Sequence, residues 1–66
     1  MNKLRGRIKE ICGNEGNFAT MMGMSRSAMS QKLNGKRGWT YKQIVTAQKI
    51  LSIPAEEVDQ YFGLLA

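Results

Sequence analysis

Between Glu15 and Gly35 the chain reads EGNFATMMGMSRSAMSQKLNG, and its polar residues are spaced for recognition rather than for bond making. On a helix through the second half of that stretch, Arg26, Ser27, Ser30, Gln31 and Asn34 form an outward face of hydrogen-bonding side chains, the type that meets donors and acceptors on base-pair edges. Catalytic chemistry is poorly supplied. The 66 residues include no His, a single Cys and five carboxylates, so there is no evident nucleophile and base pair and no ligand set for a structural zinc. An enzyme is the least expected class, and no cofactor, metal or small-molecule ligand is expected. Cys12, being alone, excludes an internal disulfide, and it lies on the apolar side of a helical pattern, where a buried small hydrophobe is expected.

A polar face of this kind needs elements that hold it out. When two short helices cross steeply, the residue at the crossing must be small, the turn needs a residue tolerant of positive φ, and the second helix keeps its outer face polar. Ala19 supplies the first and Gly23 the second; Met24 plugs the turn into the core and Met29 lies on the inner face. The helix before the turn has Phe18, Ala19 and Met22 between Gly16 and Gly23, too short a run to stand alone. Ser25 is the expected N-cap of the next helix, Met29 and Leu33 its inner pair, and Asn34-Gly35 its stop.

The rest of the chain supplies the core. Leu4, Ile8 and Ile11 predict one face of a first helix that Gly13-Asn14 ends. Thr40 with Gln43 is a capping-box signature opening a fourth, whose core face is Ile44, Ala47 and Leu51. Pro54 suits the first turn of a fifth, where Glu56, Glu57 and Asp59 complement the helix dipole and Val58, Tyr61 and Phe62 form the apolar side. Trp39 is expected to cover the core edge before the fourth helix, with stacking on nucleic acid the alternative. Gly16 is expected in a first turn; for Gly6 the options are fraying or close packing. The prediction is a single all-α domain over 1–66, a compact bundle of four or five helices with a helix-turn-helix at about 15–35.

Charge points the same way. Net charge is +5, and residues 1–49 hold all ten Lys and Arg against two acids, while residues 50–66 hold three acids and no basic residue. That asymmetry suits a molecule that turns one side toward a polyanion. No 18-residue apolar stretch or signal-peptide core appears, so a membrane partner is not expected, and the single unpaired Cys fits a reducing cytoplasm.

With these residues in place the sequence resembles the helix-turn-helix proteins of temperate bacteriophages, the lambda and 434 repressor and Cro superfamily, especially small single-domain Cro-like regulators. LRGRIKEICG before the motif, LNGKRGWT after it and ILSIPAEEVDQYF at the end carry the likeness over nearly the whole chain. The resemblance implies a repressor that binds double-stranded operator DNA as a homodimer through the major groove. It places Arg26, Ser27 and Gln31 at base edges, and Asn34, Lys36 and Arg37 on the sugar-phosphate backbone. Bidentate readout of guanine is the natural chemistry for Arg26 and adenine for Gln31; Ala28, against a thymine methyl, and Ser30 are further base-contact candidates. One departure stands out. Where the family often places a phosphate-gripping Gln at the start of the second helix, this chain has Glu15, so Asn14, Asn17 or the backbone N–H groups there are expected to serve instead.

Two half-sites lie about 34 Å apart on one duplex face, so two copies are required. Val58, Tyr61, Phe62, Leu64 and Leu65 are the expected dimer contact, pairing chiefly on the operator; the competing expectation is that this end closes the monomer core. The second functional class is a protein-interaction module, an antirepressor or antitoxin, on the same scaffold. The polar outer face and its basic flanks favour DNA. RNA binding ranks third for want of an aromatic stacking platform.

Overall fold

A computed structural model describes residues 2–63. Among them the chain forms α1 (Asn2–Cys12), α2 (Glu15–Met22), α3 (Arg26–Leu33), α4 (Tyr41–Leu51), a 3-10 turn (Ala55–Glu57) and α5 (Val58–Phe62), with no strand. The all-helical bundle read from the sequence is the one observed.

The boundaries follow from local chemistry. Asn14 caps α2 by accepting the Asn17 N–H at 2.8 Å, and Ser25 caps α3 by accepting the Ala28 N–H at 3.1 Å. Thr40 Oγ1 accepts the Gln43 N–H at 3.1 Å while Gln43 Oε1 accepts the Thr40 N–H at 3.1 Å, so the capping box forms in both directions. Helix α4 ends at Ser52, which adopts the left-handed conformation at φ 52° without being glycine. After Pro54 the chain first makes the 3-10 turn, so Glu56 and Glu57 stand in that turn and only Asp59 lies in the first turn of α5.

The core gathers Leu4, Ile8, Phe18, Ala19, Met29, Leu33, Ile44, Ala47, Leu51, Ile53 and Phe62 from every helix. Burying such side chains is worth about 1.5–3 kcal/mol each, and this holds α2 and α3 in helical form at only eight residues apiece. Two expectations need correction. Ile11 is 44% exposed, because Leu4 and Ile8 take the core side of α1 and Cys12, further round the helix, packs against the core in its place. Nothing lies within 4 Å of a Cβ placed on Gly6, so close packing is not its reason. Trp39 covers the core edge as expected, its ring edge-on to Phe62 at 5.0 Å. Val58, Tyr61 and Phe62 pack on the chain's own core; Leu64 and Leu65 lie outside the described residues.

Candidate nucleic-acid interface

The polar face is held out by the turn between α2 and α3. Gly23 takes φ 73°, and its N–H reaches Thr20 O at 3.0 Å while the Met24 N–H reaches Ala19 O at 3.0 Å, reversing the chain in a few residues. A residue with a side chain would strain there, since left-handed backbone costs L-residues roughly 1–2 kcal/mol. Ala19 and Met29 are fully buried behind this turn. Arg26, Ser27, Ser30 and Asn34 are consequently exposed along α3, and Ala28 and Gln31 are half-buried beside them.

The end of α3 is tied to the basic loop. The N–H groups of Lys36 and Arg37 both donate to Gln31 O, at 2.9 and 3.3 Å. These bonds hold the loop against the last turn of α3 while both cationic side chains stay exposed, without hydrogen-bond partners among the described residues. Asn34 accepts a hydrogen bond from Arg5 Nη2 and lies 3.5 Å from Ser30 Oγ through its amide nitrogen. Asn17 remains exposed, but its side-chain amide donates to Cys12 O at 2.9 Å and so braces the α1–α2 turn.

Not every cation is available to an outside partner. Arg7 donates to Leu51 O at 2.9 Å and to Ser52 O at 3.2 Å, satisfying carbonyls at the end of α4, and it pairs with Glu10 at 3.4 Å. Lys3 donates to Gln60 Oε1 at 2.6 Å and sits 4.9 Å from the Tyr61 ring centre. Lys32 is 7% exposed; its ammonium donates to Gly38 O at 2.8 Å and lies 5.5 Å from the Trp39 ring centre. These three bind the fold together. Sequence spacing missed Lys32 altogether, because its hydrogen-bond acceptor is placed by the fold of the loop.

Cys12, expected to be buried, is half-buried; that partial burial raises its thiol above its ordinary pKa, and its sulfur donates to Met21 Sδ at 3.7 Å. Among the described residues no helix is long and apolar enough to cross a membrane.

Residues 1–63 match the family described as "Protein of unknown function (DUF739)", and the chain belongs to that family. The chain is also similar to the modulator of repression (MOR) of the temperate bacteriophage TP901-1 from Lactococcus lactis, whose solution structure superposes with a TM-score of 0.81 at 38% identity, covering 91% of this chain and 81% of that one. No curated protein matches.

Proposed function

We propose that this chain is a small phage regulator of repression, a Cro-like helix-turn-helix protein that binds operator DNA by laying α3 in the major groove. The observation that carries the proposal is the outward face of α3: Arg26, Ser27 and Ser30 stand exposed, Gln31 is half-exposed, and Lys36 and Arg37 follow in an exposed loop bonded to the helix. That is the division of labour duplex recognition needs, with polar side chains to specify bases and cations to neutralise phosphate. The likeness to a protein named as a phage modulator of repression supports the regulatory context. Arg26, Ser27 and Gln31 are assigned to base edges with Ala28 and Ser30 beside them, and Asn34, Lys36, Arg37 and Asn17 to the backbone.

One α3 reads only a few base pairs, so a homodimer formed on the operator is part of the proposal, acting in the bacterial cytoplasm where that DNA lies. Val58, Tyr61 and Phe62 are engaged in the monomer core.

The test is an electrophoretic shift of the full chain against a pool of random duplexes at several salt concentrations, with sequencing of the bound fraction. Enrichment of a two-fold symmetric site with half-sites about one helical turn apart is expected. Binding without enrichment, or no binding at 50 mM salt, overturns specific readout and points to a protein partner.

A further inference from the structure

Beneath the start of α3 lies a groove of about 290 Å³ whose lining includes Arg5, Lys9 and Arg26 against one carboxylate, Glu15. Arg5 and Lys9 are one turn apart on α1 and so project from the same side. Arg26 enters from α3: its Cδ lies 4.0 Å from where a Cβ on Gly16 would stand, so the arginine stem runs alongside the first turn of α2 at ordinary contact distance. The groove adjoins both ends of the outward face of α3, through Arg26 at the start and through Arg5, which is bonded to Asn34 at the finish.

We infer that this groove takes one phosphate of a DNA strand, held by Lys9 and Arg5. The inference rests on the DNA-binding reading and adds to it a contact from α1. Lys9 is exposed and has no hydrogen-bond partner among the described residues, unlike Lys3 and Arg7 on the same helix. Arg5 gives one donor to Asn34, and a guanidinium has five, so donors remain for an anion. Arg26 forms the wall on the α3 side with its head group exposed, which leaves it free to meet a base edge as well. Glu15 is the one opposing charge and is not neutralised, since the ion pair among the described residues is Arg7 with Glu10. The groove therefore answers the difficulty raised by a carboxylate at the start of α2: cations from the neighbouring helix outnumber it.

The experiment measures affinity of the full chain for a duplex selected from the random pool, by fluorescence anisotropy between 50 and 300 mM salt. Lys9→Ala is expected to flatten the slope of log affinity against log salt by about 0.9, the value for one phosphate contact, with no change in the ranking of duplex sequences. Lys9→Arg keeps the slope. Glu15→Ala is expected to tighten binding to every duplex about threefold, the factor for removing one unit charge about 6 Å from a phosphate in water. Lys49→Ala, an exposed lysine on α4 outside the groove, is expected to leave the slope unchanged. An unchanged slope in Lys9→Ala, an equal change in Lys49→Ala, or no tightening in Glu15→Ala overturns the inference, with circular dichroism confirming that each variant is folded. If the parent chain binds no duplex, the DNA-binding reading fails and takes the inference with it. If the parent binds and the groove variants are silent, the inference alone fails.

Discussion

Replacing Lys32 with alanine is expected to destabilise the domain by about 2 kcal/mol without touching the face proposed to meet DNA. The lysine is buried as a residue, and its ammonium donates to Gly38 O at 2.8 Å and lies 5.5 Å from the Trp39 ring centre. A hydrogen bond to a charged donor contributes about 1.5–3 kcal/mol and a cation over an aromatic ring about 0.5–2 kcal/mol. Against this stands the cost of holding a charge out of water, which the substitution relieves. The net of about 2 kcal/mol is a large part of the roughly 3–10 kcal/mol that 0.05–0.15 kcal/mol per residue gives a chain of this size. Urea unfolding followed by circular dichroism measures it directly, and the melting temperature should fall by roughly 8–16 °C. Lys32→Met keeps the aliphatic stem and should lose about half as much. Trp39 is the single tryptophan of the chain, so its emission reports the loop alone and should shift to the red in Lys32→Ala. A Lys32→Ala protein within about 0.5 kcal/mol of the parent, with unchanged emission, would refute the assignment of this lysine as the tie between α3 and the loop.

Ser52 holds φ 52° at the end of α4, so Ser52→Gly should stabilise by about 0.5–1 kcal/mol, read as a higher urea midpoint at unchanged slope; a loss would mean the serine side chain matters to the cap. Arg26→Ala and Gln31→Ala should each weaken the selected site by about 1–3 kcal/mol and relax preference at one base position while sparing random duplexes; equal losses on both would place these residues on phosphate. Lys36→Ala and Arg37→Ala should weaken all duplexes alike and flatten the salt slope by about 0.9 for each phosphate contact removed; an unchanged slope in both takes the loop out of the interface.

Much of this architecture is written locally. Ser25, Gly23 and the Thr40–Gln43 pair act on backbone groups within a few residues, so their types and spacing already specify the caps and the turn that the structure contains. The polar residues of α3 were legible for the same reason, since helical periodicity assigns them a side before any neighbour is known. What was not legible depends on groups distant in sequence. Arg7 looks like any surface cation until Leu51 O and Ser52 O are brought to it, and Lys32 looks like part of a solvated face until Gly38 and Trp39 fold over it. The periodicity that placed both Ile11 and Cys12 on the apolar side of α1 has the same weakness at a helix end, where only Cys12 reaches the core and Ile11 turns to solvent. The groove under Arg26 combines both kinds of information. Arg5 and Lys9 share a side of α1 by spacing alone, but their convergence with Arg26 and Glu15 exists only in the folded chain.

The claim that α3 enters the major groove is tested most directly by titrating the isotopically labelled full chain with its selected duplex and following backbone amide resonances. Binding through α3 requires the largest shifts at residues 26–31, at Lys36 and Arg37, and at the α1 end of the groove around Lys9. Shifts concentrated elsewhere with α3 and the Lys36–Arg37 loop unaffected would contradict it.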